Sequence, residues 1–157
     1  MTDLRPPRLD SDERPTLLAL LQYQRESLVR KVDGVDAEGA RRAFVGSGTT
    51  LLWLMKHIAH AETLWIVQRF AGEHADLDGA VTTDDTIAAA IDAYRDTWVR
   101  VDAIVSAASL DDLCQGLAAD EAPANLRWVL MHLLEETARH AGHADIIREL
   151  IDGSTGR

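Results

Sequence analysis

The chain has 157 residues, 46% of them hydrophobic, and a formal net charge of −10. That is long enough for one domain with a single good core, and too acidic for the basic patches that nucleic acid or an anionic membrane requires. No run of about 18 uncharged apolar residues exists, so no membrane-spanning helix is expected, and the one cysteine, Cys114, excludes an internal disulfide and a cysteine-built zinc finger.

The opening stretch, MTDLRPPRLDSDERP, is charged and proline-rich with no apolar centre. It does not read as a signal peptide, and a cytoplasmic protein is the default expectation. Residues 1–12 read as an arm. From Glu13 onward, Leu17, Leu21, Gln24, Leu28 and Val32 recur at helical spacing, with Pro15 in the first turn and Gly34 just past the end. Residues 35–48 carry three glycines and read as a connection. A second helix starts near Ser47–Thr50, any of which can cap it, and runs to about Phe70, where Gly72 ends it.

Residues 73–82 are a polar loop. Thr82 and Asp85 resemble a capping box for a third helix, whose Ile87, Ile91, Tyr94, Trp98, Val101 and Val105 form a regular apolar face carrying no chemistry. Residues 106–124 are a loop with a short turn at 110–113. Pro123 then precedes a long helix capped by Asn125 and stopped by Gly153. Four long helices without strand-like alternation or internal repeat predict an all-α, up-and-down four-helix bundle in one domain over 1–157. The loops at 72–82 and 106–124 are long enough to permit a crossover.

The long last helix carries the chemistry. At about 100° per residue, Val129, His132, Leu133, Glu136, His140, His143, Ile147 and Leu150 share one face. Its ends are apolar, so it should face the core, yet imidazoles and a carboxylate occupy its middle. A buried, unpartnered carboxylate costs several kcal/mol or more, and a divalent metal would compensate. Glu136 and His140 are one turn apart and can reach one ion. In LLWLMKHIAHAETLW, His57 sits mid-face with Thr50, Trp53, Leu54, Ala61 and Leu64, and His60 lies at the edge. His57, Glu136 and His140 are therefore the expected metal ligands, with water in an open position, the pattern of a catalytic ion. A buried ion pair is the competing reading for Glu136 and His140, and a core histidine for His57.

Around that set, His60 is expected beyond the ligands or at a helix contact. His143 is a candidate catalytic base, and His132 packs or hydrogen-bonds. His74 is solvated. Gly142 costs about 1 kcal/mol in a helix relative to alanine, which close approach of another helix would explain. Arg139 and Arg148 flank the site and either can bind an anionic substrate. Trp53, Trp65, Trp98 and Trp128 read as core, with Trp53 a candidate pocket wall.

These residues carry a resemblance. Leu126-Arg127-Trp128, His132, Glu135 through Asp145, Arg148-Glu149 and Ile151-Asp152-Gly153, with Ser47 and the LLWLMKHIAHAETLW stretch, resemble an actinobacterial branch of the DinB-like superfamily of metal-binding four-helix bundles. The resemblance covers roughly residues 14–153. The superfamily usually binds zinc or nickel through three histidines; here Glu136 replaces one. The related mycothiol-dependent maleylpyruvate isomerases use the same His/Glu/His set, so the resemblance also implies His57, Glu136 and His140.

Other relatives transfer a low-molecular-weight thiol to an electrophile, and dimers are frequent. The resemblance thus implies a metal-dependent thiol S-transferase. Its cofactor would be zinc, with nickel second; its partners would be a mycothiol-type thiol, a small electrophile and a second copy of the chain. A hydrolase that activates water at the same ion, and a non-catalytic metal-binding bundle, are the alternatives.

Overall fold

The computed structural model describes residues 5–77 and 79–155. Residues 1–4 of the expected arm, Asp78 of the expected loop, and residues 156–157 lie outside the described residues. The elements are α1 (Glu13–Val32), a short α2 (Ala37–Arg41), α3 (Leu51–Glu62) continued by a π-helical stretch (Thr63–Phe70), α4 (Ile87–Ser106) and α5 (Leu126–Asp152). Among the described residues there is no strand, only a lone antiparallel bridge between Leu113 and Asn125. No described helix is long and apolar enough to cross a membrane.

The expected caps form. Asn125 Oδ1 accepts from the Trp128 amide at 3.0 Å and Thr50 Oγ1 from the Trp53 amide at 3.1 Å, each satisfying an otherwise unpaired first-turn donor. Gly153 takes the left-handed conformation, φ 75°, that stops α5.

Two boundaries differ from expectation. Asp85 Oδ2 accepts from the Thr82 amide at 2.7 Å, but this closes a turn before the helix, and Thr86 is the cap of α4. The connection at 35–48 contains α2, started by Asp36, whose Oδ1 accepts from the Gly39 amide at 2.7 Å.

Cross-helix pairs fix the directions. Glu13–Arg127 and Lys31–Asp145, at 2.8 and 2.6 Å, join like ends of α1 and α5, so these run parallel. Lys56–Asp85 and Glu62–Tyr94, both 2.7 Å, make α3 and α4 parallel as well. The bundle is therefore up-down-down-up, not the simple up-and-down arrangement expected. Parallel neighbours require a returning connection, and the chain between Phe70 and Ile87 supplies it; its described residues follow the α3–α4 groove, where Glu73 pairs with Arg100, Gly79 lies against His60, and Lys56 donates to the Ala80 carbonyl. Sixteen residues at about 3.3 Å each easily span a helix of about 30 Å.

The core has two apolar clusters. One joins Leu28 and Val32 of α1 to Leu51, Leu54, Met55 and Ile58 of α3 and Ile91 and Tyr94 of α4. The other joins Leu17 and Leu21 to Ile66, Phe70, Val101, Val105 and Leu126, Val129, Leu130 and Leu133 of α5. Between them lies a polar layer. Arg25, 2% exposed, grips Glu62, fully buried, through Nε at 3.0 Å and Nη2 at 2.6 Å. Tyr94 donates to Glu62 Oε1 at 2.7 Å, and Asp102 accepts from Arg25 at 2.9 Å. Burial works against the charge on Arg25, but Glu62 outweighs it and holds the guanidinium pKa up.

Two expectations fall here. Gln24 is only half-buried, and Arg25 occupies its predicted core place in α1. The α4 face also carries chemistry, through Tyr94.

Candidate metal centre

Three side chains from two helices converge. His57 lies two turns into α3 and faces α5, and Glu136 and His140 lie one turn apart on α5. Glu136 Oε1 is 3.1 Å from His57 Nε2 and 3.0 Å from His140 Nε2. One donor atom from each of the three lies within 4.8 Å of the others. A tetrahedral ion with bonds of about 2.0–2.1 Å has neighbouring donors about 3.3 Å apart. Both histidine–glutamate edges are close to that length, and the His57–His140 edge is no longer than 4.8 Å. Two imidazoles and a carboxylate are a donor set that zinc and other divalent ions accept, so the residues fit such an ion. The side chains are 30%, 16% and 10% exposed for His57, Glu136 and His140, which leaves the solvent side open to a further ligand.

The protonation states suit ligation. Burial opposes the charge on Glu136, but hydrogen bonds from His57 and His140 outweigh it and keep the carboxyl below the usual carboxylate value. Burial pushes the His140 imidazole below its ordinary value against the pull of Glu136. An ionised carboxylate and a neutral imidazole are the forms that bind metal.

Neighbouring side chains hold the cluster in place. Trp53 stacks on His57, with ring centroids 4.7 Å apart and planes 9° apart, and meets His140 edge-on at 6.2 Å. His143 Nδ1 is 3.3 Å from His140 Nδ1. Arg139 pairs with Glu135 and approaches Glu136 Oε2 at 3.5 Å.

The predicted face of α5 is rotated from the true one. The buried stripe runs through Leu126, Val129, Leu130, Leu133, Thr137, His140, Ala141, Ala144 and Ile147. His143 and Leu150 are exposed, and Glu136 is at the margin. The α3 face shifts likewise: Leu51, Leu54, Met55 and Ile58 are core, and His57 flanks them. The His57–Glu136–His140 cluster thus sits at the rim of the core.

Other expected residues lie elsewhere. His60 packs against Gly79 and helps line a hollow of about 400 Å³ between α3 and α4, which makes it a packing residue for the crossing segment. Arg148 pairs with Asp152 at 2.8 Å and donates to the Lys31 and Asp33 carbonyls, which ties α5 to the end of α1. Gly142 has no neighbour within 4 Å of an added Cβ, so close helix approach does not explain it. His132 packs between tryptophans, and His74 is exposed. Trp53 and Trp128 are 37% and 48% exposed and are not core residues.

Sequence reading missed Arg25, Glu62 and Asp102. Arg25 falls between Leu21 and Leu28 on the same helical face, and that spacing was the available signal.

The sequence model of a family described as mycothiol-S-transferase matches residues 16–153, and no curated protein matches the chain.

Proposed function

This chain belongs to the mycothiol-S-transferase family, and on that premise we propose that His57, Glu136 and His140 hold a divalent ion at which a mycothiol-type thiol is transferred to a small electrophile. The observation that carries the reading is the convergence of two Nε2 atoms and one carboxylate oxygen at a solvent-open rim. A bound divalent ion supplies Lewis acidity that stabilises a thiolate at neutral pH. With one carboxylate and two neutral imidazoles, a dication keeps a net charge of about +1, which favours an anionic sulfur. Zinc is the first expectation and nickel the second.

The chain's own residues do the remaining work. With Nε2 of His140 turned to the ion, its Nδ1 carries the ring proton and donates to Nδ1 of His143, which fixes both tautomers. His143 is exposed, and its Nε2 has no hydrogen bond among the described residues, so it can take the proton that leaves the thiol. The S–H bond breaks and an S–C bond forms. The leaving group departs with its bonding pair or, on an activated double bond, the proton returns to carbon. Trp53 fixes the plane of His57.

The protein supplies no competing sulfur nucleophile. Its one cysteine, Cys114, packs beside the second apolar cluster, and burial pushes its thiol up, away from the reactive thiolate.

The test is conjugation of mycothiol to 1-chloro-2,4-dinitrobenzene, followed by absorbance, with zinc- or nickel-loaded protein. Acceleration over the uncatalysed reaction, lost in His57→Ala and Glu136→Ala, is expected. A loaded protein with no acceleration for this or any other thiol acceptor overturns the reading.

A further inference from the structure

The seam between α3 and α5 continues past the metal cluster. Because these helices run antiparallel, each turn toward the start of α5 meets a turn toward the end of α3. His57 faces Glu136 and His140. Further along, Trp65 of the π-helical stretch faces Trp128 and His132. The His132 ring stacks on Trp128 with centroids 5.2 Å apart and planes 15° apart, and Trp65 meets it edge-on at 4.8 Å. Arg69 covers the Trp65 ring at 4.4 Å and is held by a 2.7 Å ion pair with Glu121. Trp65, Trp128, Arg69 and Glu121, with Pro123 and Leu117, line an open hollow of about 290 Å³.

The far wall of this hollow is fixed by backbone contacts. The Gln115 and Gly116 amides donate to the Phe70 and Arg69 carbonyls at 3.1 and 2.8 Å. A Cβ on Gly116 would lie 2.1 Å from the Gln68 carbonyl oxygen, so only glycine lets the connection approach this closely. The connection therefore holds Glu121 and Pro123 in place against the indoles.

The chemistry selects an occupant. Indole faces offer a flat apolar surface, Arg69 offers only donors, and Glu121 only acceptors. A ring with an apolar C–H face and hydroxyls on its edge satisfies all three. A wholly apolar guest would take water from the Arg69–Glu121 pair without replacing its hydrogen bonds. The volume, at the lower end of the usual range of about 300–1,000 Å³ for small-molecule sites, suits one six-membered ring. From Trp128 to Glu136 is eight residues, about 12 Å along the helix, more than a cysteinyl arm alone reaches but a span that such an arm and one intervening sugar ring cover together.

We propose that this hollow binds a hydroxylated ring of the substrate, a sugar or cyclitol, and so delivers its thiol to the His57–Glu136–His140 cluster. The inference rests on the thiol-transfer reading above. Mycothiol, whose cysteine-derived thiol is carried on an amino sugar joined to a cyclitol, has such rings.

The test compares two thiols, mycothiol and the ring-free N-acetylcysteine, in wild type, Trp128→Ala and Arg69→Gln, together with metal content and a titration of indole N–H resonances by methyl α-D-glucosaminide and by myo-inositol. Trp128→Ala should lower kcat/KM for mycothiol about 30-fold, mostly through KM, while N-acetylcysteine and metal content stay at wild-type levels. In wild type at least one ring compound should shift the Trp65 and Trp128 indole signals, and Arg69→Gln should abolish the shift. An equal loss for both thiols, or unmoved indole signals with both ring compounds, overturns the proposal. If wild type transfers no thiol, the functional reading fails separately, while the indole titration still decides whether the hollow takes a ring.

Discussion

His57 and Glu136, 79 residues apart in the chain, meet with Nε2 3.1 Å from Oε1. The contact ties α3 to α5 at the edge of the core, and it places a carboxylate where the exposed side of a bundle seam can take an ion. Replacing Glu136 with glutamine keeps the shape and removes the charge. Glu136→Gln should weaken zinc binding by 10-fold or more while the fold persists. Calorimetric zinc titration against wild type, with circular dichroism as the control, checks this. Unchanged affinity would mean that Glu136 is not a ligand.

The buried Arg25–Glu62 pair predicts asymmetric mutational costs. Removing one partner leaves a buried charge alone, so Arg25→Ala or Glu62→Ala should each cost about 3–5 kcal/mol. A double variant, Arg25→Met with Glu62→Leu, should cost less than either single change, because no charge is stranded. Urea denaturation of the three variants measures this. A double variant less stable than both singles would contradict the account.

Asp85 gives a pH-dependent prediction. Hydrogen bonds from Lys56 and the Thr82 amide hold its carboxyl below the ordinary 3.8. The unfolded chain then binds this proton more readily than the folded one, so the stabilisation is present above the ordinary value and lost as pH falls through the folded one. Asp85→Asn should therefore lower the melting temperature at pH 7 and make little difference near pH 2. Melting curves across that range would reveal an opposite trend.

Much of the fold was legible because it rests on local rules. Asn125, Thr50, Gly34 and Gly153 announced helix ends, and the 4-3-4 spacing in α4 announced its buried side. Helix direction was not legible: the length of the 72–82 loop permitted a crossover, but nothing in its residues required one. The convergence of His57, Glu136 and His140 was readable as residue types at the right spacing, but its setting was not. Helical spacing of apolar residues predicted Glu136 and His143 on the core face, whereas the stripe is turned so that Glu136 lies at its margin and His143 outside. The Trp65–His132–Trp128 cluster was hidden because it needs the antiparallel register of α3 and α5, which only the fold supplies.

The most direct measurement is metal content by elemental analysis, on untagged protein purified without added metal and again after incubation with zinc, for wild type, His57→Ala, Glu136→Ala and His140→Ala. The account predicts about one zinc or nickel ion per wild-type chain, as one three-ligand site requires, and loss in all three variants with the helical fold retained. Wild-type protein that takes up no zinc, or variants that keep a full complement, would contradict it.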